Sequence, residues 1–110
     1  MSELNRITEA YVKEVRKSKT YQKYKERLNA LKKDEELYNK VEEYRTKRYE
    51  MQKNTPANEL YDKADYLERV YAYLYDNQLS ARFLESEVAL CRMIQDICFK
   101  IAQSIDFDLF

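Results

Sequence analysis

The 110 residues contain no glycine and a single proline, and this confines the backbone more than any motif does. Tight hairpins, phosphate-cradling loops, dinucleotide fingerprints and nucleophile elbows all need positive φ or close backbone approach, and glycine supplies both. Apolar residues recur at three- and four-residue steps almost throughout. No segment alternates with period two for long enough to make a strand. The chain therefore reads as all-α, with helices broken by caps and by Pro56.

Leu4, Ile7, Tyr11 and Val15 share one helix face, with Val12 beside it. Ser18-Lys19-Thr20 offers a cap, and a break is expected there. Tyr21, Tyr24, Leu28 and Leu31 continue in a heptad-like stripe. Asp34 reads as an N-cap, with Glu35 and Glu36 in the first turn, where the helix dipole favours anions. The helix it opens carries Leu37, Val41, Tyr44 and Met51 on one stripe. Arg48 fills the remaining position, where its stem can lie over the core with its head in water. Asn54-Thr55-Pro56 is the clearest break, with Thr55 as cap and Pro56 as first helical residue. Leu60, Ala64, Leu67, Tyr71 and Leu74 form the next stripe, so the β-friendly run 70–75 is read as helix. Asp76-Asn77 punctuates again, with Asn77 or Ser80 as the cap. The last helix is the most apolar. Leu79, Phe83, Leu90, Ile94, Ile97, Ile101 and Ile105 mark one stripe, and Leu84, Val88, Cys91, Cys98 and Ala102 a second beside it. An apolar face that wide buries against more than one partner helix. The tail 106–110 alternates acidic and apolar residues and reads as a frayed end.

Lys plus Arg and Asp plus Glu number 20 each, so the net charge is zero. The first 33 residues nevertheless carry +6 and the remainder −6. That asymmetry favours antiparallel self-pairing or plain solvation over attraction to nucleic acid. No stretch approaches the ~20 apolar residues of a membrane span. The opening Met1-Ser2-Glu3-Leu4-Asn5-Arg6 has no apolar signal region, so a cytoplasmic protein is expected. Cys91 and Cys98 lie two helical turns apart, ~10.5 Å along the axis. That is too far for a mutual disulfide. Free, buried thiols are expected, in keeping with a reducing compartment.

With no histidine in the chain, His-based triads, imidazole metal ligands and a neutral-pH switch are excluded. Glu59, Asp62, Asp65 and Glu68 stand three apart, but that step winds round a helix, so a solvated face is expected rather than a cation site. Two cysteines without His fall short of a zinc or cluster set. Eleven tyrosines are more telling. Tyr61, Tyr66, Tyr71, Tyr73 and Tyr75 crowd one segment and point around more than one face, so some are exposed. Tyrosine has an apolar body, a polar tip and few rotamers to lose, which suits a protein interface. The neighbouring Asp62, Asp65, Glu68 and Asp76 repel phosphate, which disfavours RNA. The better candidate for RNA is the basic segment 13–33, where Lys17, Lys19, Lys23, Lys25 and Arg27 lie near Tyr21 and Tyr24; Glu14 and Glu26 interrupt it, and a solvated helix face is the plain alternative.

The order Ser18-x-x-Tyr21-x-x-Tyr24, Leu28-x-x-Leu31-x-x-Asp34-x-x-Leu37 and Tyr44 resembles the first half of the YlbF/YmcA family of bacterial helical regulators. The segment Phe83-Leu84-x-Ser86-Glu87-x-x-Leu90-x-x-x-Ile94-x-x-Ile97-x-x-x-Ile101, preceded by Asn77, resembles its C-terminal part. The likeness spans about residues 5–105. It implies a small, cytoplasmic, non-enzymatic helical protein that self-associates. Family members regulate competence, sporulation and biofilm formation, some in a complex that modulates RNase Y and messenger-RNA processing. Those RNA-processing members carry a Cys-bearing extension after the last helix and can hold an iron–sulfur cluster. No such stretch follows Ile105 here, so the likeness is to a short form and no cofactor is expected. Many relatives also have glycine where this chain has Asn54-Thr55-Pro56.

The expectation is therefore one helical domain over 1–110. It comprises N-terminal helices in 1–53, a helical hairpin over 56–105 and a tail, an antiparallel bundle of four to five helices. It dimerises through the long C-terminal helix, with Phe83, Leu84, Leu90, Ile94, Ile97, Ile101 and Ile105 as the seam. Tyr61, Tyr66, Tyr73 and Tyr75 are candidate contacts for protein partners. The expected function is regulation as an adaptor, the alternative being an RNA-binding accessory role for segment 13–33. Ile97→Asp is expected to give monomeric or unfolded protein, and a stable dimer by light scattering would refute the seam.

Overall fold

A computed structural model of the chain describes residues 2–105. The expected tail, 106–110, lies outside the described residues. Five α-helices follow one another: α1 (Ser2–Lys17), α2 (Lys19–Lys32), α3 (Glu35–Asn54), α4 (Ala57–Val70) and α5 (Gln78–Ser104), with a 3₁₀ turn at Ala72–Tyr75 between the last two. The described residues contain no strand.

The breaks are local chemistry. Ser18 alone separates α1 from α2. Its hydroxyl donates to the Val15 carbonyl at 2.6 Å and accepts from the Tyr21 N–H at 3.2 Å. Its own carbonyl accepts the first bond of α2 from the Gln22 N–H at 3.0 Å. Asp34 has extended backbone and accepts from the Leu37 N–H at 3.1 Å, the expected cap of α3. Asn77 caps α5, accepting from the Leu79 N–H at 2.9 Å. Ser80 is instead wholly buried, and its hydroxyl donates to the Leu74 carbonyl.

Two expectations at helix ends change. Pro56 is not the first helical residue. With ψ 148° it stands outside α4 as its N-cap, while Thr55 closes α3 by donating to the Met51 carbonyl at 3.1 Å. The helix read through 70–75 stops at Val70. Tyr71 turns out of it at φ −103°, ψ 15°, and the tighter 3₁₀ winding follows. That turn lets both Tyr71 and Leu74 be buried, which outweighs the preference for continued α-helix.

The chain divides into two compact units, residues 28–84 and residues 1–27 with 85–110. In the 28–84 unit α4 turns back along α3. Its core is Leu31, Val41, Tyr44, Leu67, Tyr71, Leu74, Phe83 and Leu84, all buried. Each fully buried Leu, Val or Phe contributes about 1.5–3 kcal/mol. Arg48 lies over the Tyr44 ring at 5.1 Å, as its place in the stripe implies, and Arg45 over Phe83 at 5.2 Å.

The second unit holds α1, the start of α2 and most of α5. Among its described residues only Ala102, Ser86 and Glu87 are buried, and α1 buries none of its side chains. Many charged residues form exposed pairs within single helices, such as Glu3–Arg6 at 2.8 Å and Asp65–Arg69 at 3.0 Å. Such pairs add a few tenths of a kcal/mol each.

Phe83→Ala empties a fully buried site and is expected to lower the unfolding free energy by about 3–5 kcal/mol. Asp34→Ala, which removes only a cap, is expected to lower it by about 1 kcal/mol. Urea unfolding followed by far-UV circular dichroism reads both, and the reverse order would contradict this account of the core.

Candidate functional site

Within the 1–27/85–110 unit an apolar groove of about 440 Å³ opens between helices. α1 lines it with Tyr11, Val12, Val15 and Arg16, α2 with Tyr21, and α5 with Leu90, Ile94, Ile97 and Cys98. The residues expected to form a seam thus part company. Phe83 and Leu84 are buried in the core of the other unit, Leu90 and Ile97 are half-buried at the groove, and Ile94, Ile101 and Ile105 are exposed. Cys91 and Cys98 are free and exposed, against the expectation of buried thiols. The reason is geometric. Periodicity marks apolar stripes on α5, but within one chain only part of that wide face is covered. The share taken by α1 comes from Tyr11, Val12 and Val15, whose spacing marks them as apolar, yet no local pattern says that they face α5.

The tyrosines separate into two sets. Tyr44 and Tyr71 are buried with ring centroids 5.1 Å apart, and Tyr75 meets Tyr44 edge-on at 6.3 Å. The Tyr44 and Tyr75 hydroxyls are hydrogen-bonded at 3.0 Å, and Lys47 lies 5.6 Å over the Tyr71 ring. Tyr75 therefore commits its polar tip inward, although half the residue is exposed, as is Tyr73. Tyr61 and Tyr66 stand out in solvent, 80% and 65% exposed. Tyr66 also walls an open cleft of about 430 Å³, where Met51 and Leu67 give an apolar lining and Lys47, Lys63 and Glu50 bring charge of both signs.

Of the acidic run, Asp65 pairs with Arg69, and Glu59, Asp62 and Glu68 are exposed on α4. No group of three or more metal-ligating side chains gathers among the described residues. In the basic segment Lys17 pairs with Glu14 at 3.6 Å. The Tyr21 and Tyr24 rings lie 6.3 Å apart and tilted, both half-buried, with Tyr21 turned into the groove. No helix among the described residues is long and apolar enough to cross a membrane.

Partial burial, then the hydrogen bond with Tyr44, hold the Tyr75 phenol well above its ordinary value of 10.0. Below that value both folded and unfolded chains keep the proton, and the contact contributes in full. Above it the unfolded chain loses its proton first, so stability falls as pH rises toward the folded value. Tyr75→Phe is expected to flatten this alkaline decline. Denaturation at a series of alkaline pH values checks it, and curves parallel to wild type would contradict it.

No curated protein and no solved structure gives a significant match to the chain. Residues 8–106 match the family described as control of competence regulator ComK, YlbF/YmcA. That match covers nearly the whole chain, the groove-lining residues and the tyrosine-bearing segment included, and the chain therefore belongs to the YlbF/YmcA family of competence regulators.

Proposed function

We propose that the protein is a non-enzymatic adaptor that regulates by protein–protein contact. It pairs with a second copy through α5 and offers Tyr61 and Tyr66, and the half-exposed Tyr73 and Tyr75, to another protein. The family's role in competence control supports a regulatory reading. The observation that carries the adaptor reading is the exposure of Tyr61 and Tyr66 on a unit whose own core is already closed without them. Large aromatic rings outside a finished core, one of them beside an open cleft, supply the anchors that protein interfaces favour. By resemblance, the outputs under control are competence, sporulation, biofilm formation or RNase Y-dependent RNA processing, in a cytoplasmic setting.

In a strain of the source organism lacking the gene, wild-type protein is expected to restore competence and messenger-RNA processing. Tyr61→Ser/Tyr66→Ser, with unchanged helical signal, is expected to fail. Full complementation by the double variant would overturn the tyrosine surface. So would direct RNA binding by the purified chain that falls steeply with salt and survives the double substitution, since phosphate contacts would then carry the function.

A further inference from the structure

We infer that segment 106–110 folds back along α5 of its own chain and seats at the near end of the apolar groove. The contact is internal to one copy. Its regulatory consequence rests on the pairing through α5 proposed above, because the tail and a second copy then compete for one surface.

The first ground is a continuous apolar track. Ile94, Cys98, Ile101 and Ile105 advance by four, three and four residues, which keeps them on one helix face. The Ile105 N–H still donates to the Ile101 carbonyl at 3.3 Å, so the helical register holds to that point. Ile94 and Cys98 line the groove, while Ile101 and Ile105 are 56% and 68% exposed. The track therefore runs from the groove to the place where the tail leaves.

The second ground is reach. Cys98 lies seven residues back from Ile105, ~10.5 Å along the axis. Five extended residues span up to ~16–18 Å. If two of them reverse the chain direction, the remaining three still cover about 10 Å. That suffices to cross Ile101 and arrive at Cys98, and it leaves the Leu90 end of the groove open.

The third ground selects the occupant. The tail reads Asp106-Phe107-Asp108-Leu109-Phe110. In an extended chain Phe107 and Leu109 share one edge and the two carboxylates the other. The apolar edge suits the track. The acidic edge suits its surroundings, for residues 1–27 carry eight Lys/Arg against four Asp/Glu, and Arg16 brings a guanidinium to the groove lining. A short tether also holds the tail at an effective concentration on the order of millimolar. A free amphiphile or a dilute second copy lacks that advantage.

The test uses the full chain with Cys91→Ser, which leaves Cys98 as its one thiol. Reaction of Cys98 with N-ethylmaleimide is followed at a concentration where sedimentation equilibrium gives the single-copy mass of 13.4 kDa. Adding Leu109→Ser/Phe110→Ser is expected to keep the helical signal and to speed the reaction at least about threefold, the change read when a site covered two-thirds of the time is laid open. The slower rate without those two substitutions is expected to survive tenfold dilution. At higher concentration the doubly substituted tail is expected to lower the dissociation constant of pairing by a similar factor. Should that variant lose helix, Leu109→Ser alone reads the same edge. Equal Cys98 rates with and without the tail substitutions would overturn the inference. So would protection that fades on dilution, or double mass at every concentration, since a second copy would then hold the track. Single-copy mass throughout, with the Cys98 rates still apart, would overturn the pairing and leave the tail contact standing.

Discussion

The closed cluster of Leu31, Val41, Leu74, Phe83 and Leu84 is what the 28–84 unit is arranged around. These side chains come from α2, α3, the 3₁₀ turn and α5, so no single helix makes the core and each needs the others. The caps set where the helices stop, but burial decides which faces turn inward. It decides the Ser80 hydroxyl as well. Wholly buried among apolar neighbours, that group is satisfied by the Leu74 carbonyl, and no buried side-chain nitrogen or oxygen among the described residues lacks a partner.

Much of this was legible in the sequence because it is local. Ser18, Asp34 and Asn77 cap helices with their own side chains, and the signal sits within four residues of the effect. The Val41–Tyr44 face and the lie of Arg48 over it follow from spacing alone. The turn at Tyr71 was not legible. The period of 3.6 runs through it unbroken, and the reason to leave the helix lies in burying Tyr71 and Leu74 against other segments. The Tyr44–Tyr75 hydroxyl pair, 31 residues apart, leaves no local trace either. At the candidate site the apolar stripes of α1 and α5 could be read, whereas the exposure of Cys91, Cys98 and Ile101 could not. A stripe declares that it wants cover and is silent on what provides it.

The chemistry of the chain suits a protein that works by contact. Without histidine its charge changes little near neutral pH, and its ion pairs are mostly exposed and local. What remains to distinguish one surface from another is apolar and aromatic area. That area is divided between the two units, aliphatic on α1 and α5, phenolic on α4 and the turn after it. Two surfaces of different composition allow two kinds of neighbour to be held without competition for the same side chains.

The Ser18 junction carries one more consequence. Both helix ends are satisfied by groups at the joint itself: the last turn of α1 through Val15 and Ser18, the first turn of α2 through the hydroxyl and carbonyl of Ser18. Fraying that begins in α1 therefore meets a ready-made stop and does not unzip α2. Combined with the absence of buried side chains in α1, this lets the first helix open locally at little cost while the hydrogen bonds that start α2 stay closed.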